Sequence, residues 1–261
     1  MSPFENGAGT TIVVVPGIQG RWEWMAPAID ALSVRFRVHT FSLQASSARS
    51  VFDDSDARID TILDGAGPRD AAIVGVSFGG LIAARYAARH PGRVRQLVLV
   101  STPSPRWQPD ARSERHVRRP VRSFPAFIAG AAGRIMPDVM DPHPTWTGRL
   151  AFVARHLARV VRYPTSPTRM ARWVRDWQHE DIASECARIA APTLVITGEA
   201  GRDRVVPQAS TLAYLSLIRG ARHVVLAHTG HIGLVSRPDA FARLVEEFVD
   251  APDCARPGGA P

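Results

Sequence analysis

The stretch AAIVGVSFGGLIAARYAARH, residues 71–90, constrains the fold most, because it changes character halfway. Ile73, Val74 and Val76 make a short β-branched run of the kind that forms a buried strand. From Phe78 the apolar spacing is that of an amphipathic helix, with Leu81, Ile82, Tyr86 and Ala87 on one side and Arg85 and Arg89 on the other. Gly75-Val76-Ser77-Phe78-Gly79 forms the join. A turn this sharp needs residues without a Cβ two before and two after the serine, because strand and helix approach each other there. It also lifts the serine out of the sheet at a helix N-terminus, where backbone N–H groups have no intrahelical partner.

A serine hydroxyl is a poor nucleophile and needs a base beside it and donors for the oxyanion it creates. Ser77 is therefore a candidate nucleophile and the Phe78 N–H a candidate oxyanion donor. The candidate base is His231 in HTGHIGLVSRPDAF, with His228 three residues away as its rival. The candidate carboxylate is Asp203 in GEAGRDRVVP, with Glu199 as its rival. Each lies in a loop after an expected strand, and loops at the carboxyl ends of parallel strands are where such sheets build sites.

Strand and helix signals alternate along most of the chain. Strands are expected at 10–15, 37–43, 71–76, 94–102, 191–199 and 223–227. Helices are expected at 25–32, 57–65, from Phe78, at 208–218 and at 239–249. This rhythm predicts an α/β fold with a mostly parallel central sheet flanked by helices. Residues 103–187 break it. They hold four of the six tryptophans and 14 arginines against eight acidic residues, and read as an inserted helical cap. The core is then 1–102 with 188–250, and the Pro/Gly-rich 251–261 reads as a flexible tail.

Composition removes several function classes. All 32 basic residues are arginine, which excludes lysine Schiff-base and lysine-base chemistry. A net charge of +8 suits nucleic acid, but the chain has no Cys/His finger spacing, no aromatic RNP-like strand and no basic block, so no nucleic-acid partner is expected. Cys186 and Cys254 make neither a ligand cluster nor a disulfide framework. His143, His156 and His179 lack ligand spacing, so no metal is expected. The N-terminus has no basic region and carries Glu5, and no apolar run reaches the ~20 residues of a membrane span. A soluble, cytoplasmic protein with no membrane partner is the expectation; nothing in the sequence fixes an oligomeric state.

Taken together, Gly75–Gly79, PTLVITGE with DRVVP, and GHIGLVSRPDAF resemble the α/β-hydrolase fold family over roughly residues 10–250. The order Ser77, Asp203, His231 is similar to the family's nucleophile, acid, histidine order. The resemblance implies a serine hydrolase working through an acyl-enzyme on a small-molecule substrate, with no cofactor, and the Ile18 N–H as second oxyanion donor. Three departures stand out: Pro16-Gly17-Ile18 replaces the usual His-Gly lead, SLQASSARS replaces an Asp with a glycine-rich turn, and GEAGRD is lengthened. Gln19, Trp22 and Trp24 after the oxyanion loop, and the helical stripe Met170, Trp173, Trp177, are candidates for an apolar substrate pocket. A carbon–carbon bond hydrolase, a thioesterase, a cofactor-free haloperoxidase, a hydroxynitrile lyase and a non-catalytic binding protein share the same expected framework.

Overall fold

The computed structural model describes residues 4–44, 49–66, 71–140 and 144–251. Nearly all of the expected tail, with Cys254, and His143 lie outside the described residues. The strands are β1 (Phe4–Asn6), β2 (Thr11–Val15), β3 (Arg37–Thr40), β4 (Ala71–Val76), β5 (Gln96–Val100), β6 (Thr193–Thr197) and β7 (Arg222–Val225). They form one sheet in the order β1-β3-β2-β4-β5-β6-β7, parallel throughout except for the antiparallel β1–β3 edge.

Burial of both faces explains the unbroken apolar runs of the central strands. Val13 and Val15 of β2 face one core with Ile73 of β4 and Leu97 and Leu99 of β5. Ile12 and Val14 face the other, with Ala72, Val74, Val98 and Val100. From β2 the order runs to β3 on one side and β4 on the other. Between β2 and β4 lies the switch point, beyond whose carboxyl end such sheets bind their ligands. The loop carrying Pro16–Ile18 follows β2 and the turn carrying Ser77 follows β4.

Helices α1 (Ala26–Leu32), α2 (Val51–Ala66) and α3 (Phe78–Arg89) alternate with the early strands. Between β5 and β6 the chain leaves the sheet for α4 (Ala111–Arg118), α5 (Pro120–Met140), α6 (Trp146–Arg162), α7 (Pro167–Gln178) and α8 (Ile182–Glu185). Helices α9 (Gln208–Leu212), α10 (Tyr214–Leu217), α11 (Gly233–Ser236) and α12 (Pro238–Val249) complete it. No described helix is long and apolar enough to cross a membrane.

Four sequence expectations need correction. Helix α2 begins at Val51, not Ala57, and buries Val51, Phe52 and Ser55 in the added turns. The helix expected over 208–218 is two short ones, because at Ala213 the bonding tightens and Ser216 N–H donates to the Ala213 carbonyl at 3.3 Å. The third strand ends at Thr40: Leu43 N–H bonds instead to the Gly20 carbonyl at 2.9 Å, tying the chain to the loop after β2. Arg85, on the expected polar side of α3, is buried, with carboxylates of Asp53, Asp56 and Glu180 on its guanidinium.

Candidate active site

Ser77 separates β4 from α3 and takes φ 52°, ψ −122°, a left-handed conformation that L side chains rarely adopt. The neighbours that permit it are the two glycines. A Cβ on Gly75 would stand 2.5 Å from the Gly80 Cα and 2.8 Å from the Ala83 Cβ, and one on Gly79 would stand 2.5 Å from the Pro16 carbonyl oxygen. Ser77 N–H donates to the Val100 carbonyl at 2.8 Å, so the turn is pinned to the next strand.

The loop after β2 lies directly against this turn: a Cβ on Gly17 would be 3.5 Å from both the Ser77 Cβ and the Val76 carbonyl oxygen. A tight turn closes the loop, with Gly20 N–H donating to the Gly17 carbonyl at 2.8 Å. Its brace comes from a distant part of the chain, residues 163–165 between α6 and α7. The Thr165 hydroxyl donates to the Gln19 carbonyl at 2.9 Å, Arg21 Nε to the Pro164 carbonyl at 3.1 Å, and the Trp24 indole N–H to the Tyr163 carbonyl at 3.0 Å. The departure from a His-Gly lead thus leaves the loop secured by the inserted segment.

Asp203 and His231 meet directly. His231 Nδ1 donates to Asp203 Oδ2 at 3.0 Å, with only 3% of the Asp203 and 10% of the His231 side chain exposed. The other carboxylate oxygen accepts the N–H groups of Val205 at 2.9 Å and Val206 at 2.8 Å, which fixes the plane of the carboxylate. Burial works to raise the Asp203 pKa, but the His231 charge and hydrogen bond and the two backbone donors outweigh it and hold the carboxyl below its ordinary value. Nδ1 is thereby engaged and Nε2 is left as the ring atom for proton transfer.

The rivals pair with each other outside this contact. Glu199 accepts the His228 N–H at 2.7 Å, lies 3.7 Å from the His228 ring and makes an ion pair with Arg202. His228 has 65% of its side chain exposed.

The candidate pocket residues divide. Trp173 and Trp177 are buried in the core cluster that holds Phe78, with Trp177 edge-on to Phe78 at 6.2 Å between centroids. Met170 is buried, and Thr165 Oγ1 lies 3.4 Å from its sulfur. Trp22 stacks on Phe4 at 4.2 Å. Ile18 is half-buried against the Trp173 cluster, and the Trp24 ring meets His156 at 6.3 Å. Among the described residues no three His, Cys, Asp or Glu side chains are grouped to hold a metal ion.

One residue of this neighbourhood had no signal in the sequence. Asp138, in α5, is fully buried and accepts the N–H groups of Gly230 and Ile232, on either side of His231. Nothing within ten residues of it points to the histidine loop.

A family model for the alpha/beta hydrolase fold matches residues 10–238. The chain is 26% identical over 249 residues to a pimeloyl-[acyl-carrier protein] methyl ester esterase of Nitrosomonas europaea, covering 90% of this chain and 94% of that one. It is 30% identical over 196 residues to a 2-hydroxymuconate semialdehyde hydrolase of Pseudomonas putida, covering 74% and 66%. Among solved structures, the enol-lactonase from Burkholderia xenovorans LB400 superposes with a TM-score of 0.76 at 25% identity, covering 95% of each chain.

Proposed function

This chain belongs to the alpha/beta hydrolase fold family and is a hydrolase, and from that premise we propose a serine hydrolase that cleaves small apolar or aromatic esters, with residues 103–187 as its cap. One observation carries the reading: a serine held in a strained turn at the carboxyl edge of the sheet, with a buried Asp–His pair at 3.0 Å on the loops after β6 and β7.

In this mechanism His231 Nε2 takes the Ser77 proton as Oγ attacks the ester carbonyl. Asp203 holds the tautomer and stabilises the imidazolium that forms. The N–H groups of Ile18 and Phe78 bind the oxyanion of the tetrahedral intermediate. His231 then protonates the departing alcohol. Water, activated by the same imidazole, cleaves the acyl-enzyme and restores the serine. No step calls on a cofactor.

Esters are favoured because a methyl ester esterase and an enol-lactonase are among the proteins this chain resembles, and both names denote attack at an acyl carbon. The likeness to a semialdehyde hydrolase supports carbon–carbon bond cleavage on the same residues as a second reading.

The decisive experiment is labelling with a fluorophosphonate probe, followed by peptide mass spectrometry. Label on Ser77, lost in Ser77→Ala and His231→Ala, is expected. A folded protein that takes no label sinks the reading and turns attention to a binding protein. A p-nitrophenyl ester panel run beside a vinylogous 1,5-diketone then separates the two bond types. Because the base must be neutral, turnover should fall as the solution is made acid. A profile flat to pH 4 contradicts it.

A further inference from the structure

Among the described residues Asp138 is the one fully buried carboxylate of the inserted segment, and no guanidinium there pairs with it. Its Oδ1 accepts the Gly230 N–H at 2.7 Å and its Oδ2 accepts the Ile232 N–H at 3.3 Å, partners 92 and 94 residues away in the chain. These two amides bracket His231. The backbone at 230 is shaped to let the carboxylate in, since a Cβ there would stand 2.8 Å from Asp138 Oδ2 and 2.7 Å from the Arg202 carbonyl oxygen. Val139, the next residue, is buried in the core cluster that holds Leu234 and Val235, so this end of α5 is packed against the turn that follows the histidine.

A ring position is set by the backbone that carries it as well as by its own hydrogen bond. The Asp203 contact fixes one nitrogen of the imidazole; it leaves the Cα to follow its loop. We propose that Asp138 is a positioning residue for His231: by gripping the amides on both sides, the inserted segment fixes where the imidazole stands relative to Ser77 and places a second carboxylate beside it. This rests on the Ser77–Asp203–His231 reading.

The charges facing His231 are Asp203, from the loop after β6, and Asp138, from α5; further out Glu199 is occupied by Arg202 and His228. Burial raises the Asp138 pKa, while the Gly230 and Ile232 donors and the His231 charge oppose the rise and Asp203 adds to it. Electrostatic coupling of Asp138 to both members of the pair follows from the same proximity.

The test is Asp138→Asn, assayed with p-nitrophenyl butyrate across pH, beside Ser77→Ala and His231→Ala. Asn is the same size but carries no charge and presents one acceptor where two are needed. Misplacing a catalytic group by about 1 Å can cost on the order of 10²-fold, so kcat should fall by roughly 10- to 100-fold with KM little changed. The acid limb of the kcat/KM profile should move to lower pH, because an anion that favours imidazolium has gone. A staple that only held the fold would lower the melting temperature and leave that limb where it was.

Wild-type kcat and an unmoved limb in Asp138→Asn, with His231→Ala inactive, overturn this inference and leave the triad reading standing. Full turnover in His231→Ala overturns both. The wild-type protein supplies a second measurement should the variant not fold: the Gly230 and Ile232 amides should resist hydrogen exchange. Exchange as fast as that of the exposed turn at Arg219–Gly220 would overturn the inference.

Discussion

Around Arg85 three carboxylates meet one guanidinium, whereas at His231 one carboxylate meets the imidazole and a second grips the backbone on either side of it, and the two clusters differ in what holds them. Arg85 donates to Glu180 at 2.8 Å, to Asp56 at 2.5 Å and to Asp53 at 2.7 Å, joining α3 to α2 and to the end of the inserted segment. Its charge is permanent, so the guanidinium binds the helices together and cannot itself pass a proton. At His231 the acidic side is secured by backbone amides: Val205 and Val206 hold Asp203, and Gly230 and Ile232 hold Asp138. Peptide donors leave the imidazole as the group whose charge can change. Buried charge alone therefore does not mark a site; an imidazole held in fixed geometry by a buried acid is what distinguishes the second cluster.

The sharpest way to break this comparison is Asp203→Asn. It should lower kcat by roughly 10⁴-fold with the fold intact, as loss of the orienting acid does in such triads. Glu199→Gln should stay near wild type. Reversal of the two results in steady-state kinetics would move the acid to the outer pair.

Arg85→Met is the counterpart at the other cluster. It leaves the mostly buried Asp56 without its guanidinium, and breaking a buried pair costs about 3–5 kcal/mol, which urea unfolding would read as a lower midpoint. Turnover per folded molecule should not change. A kcat that fell with Arg85 would mean that the two clusters are coupled.

A smaller effect concerns pH. Burial, with the neighbouring Asp53 and Asp60 charges, pushes Asp56 up to about 7 against the pull of Arg85 and Arg89, and among the described residues its Oδ1 has no hydrogen-bond partner. A carboxyl raised on folding stabilises the protein below its unfolded value, and that contribution is lost as pH rises through about 7. Asp56→Asn should therefore gain on the wild type by a few degrees in melting temperature between pH 5 and pH 8. Parallel melting profiles would contradict this. The smallest effect is expected from Thr165→Val, which removes one hydrogen bond to the loop after β2. At about 1 kcal/mol it should cost roughly five-fold in kcat/KM, and an unchanged value would mean that the brace does not serve the oxyanion loop.

The elbow was legible because its requirements are local. Gly75, Ser77 and Gly79 lie within five residues, and the strand before them and the helix after them announce themselves by period. The first turns of α2 were not legible, since Asp53, Asp54 and Asp56 interrupt the apolar pattern and Asp53 and Asp56 serve a guanidinium on another helix. Three-residue β1 carries no periodic signal and exists through its pairing with β3. Between Asp203 and Glu199, four residues apart on one loop, resemblance to the family's acid loop favoured Asp203 and left Glu199 as a rival; burial and the bond to His231 separate them.

By itself, then, the sequence determined the alternation of strands and helices, the edge of the sheet at which the candidate site lies, and the strained turn that presents Ser77, because each depends on short-range sterics and on the burial period of neighbouring residues. Tertiary structure alone decided that Asp203 faces His231 while Glu199 turns to His228, that residues 163–165 brace the loop after β2, and that Asp138 reaches amides more than ninety residues away. Those contacts join segments whose separation along the chain is large, and no local preference encodes a distance that only packing creates.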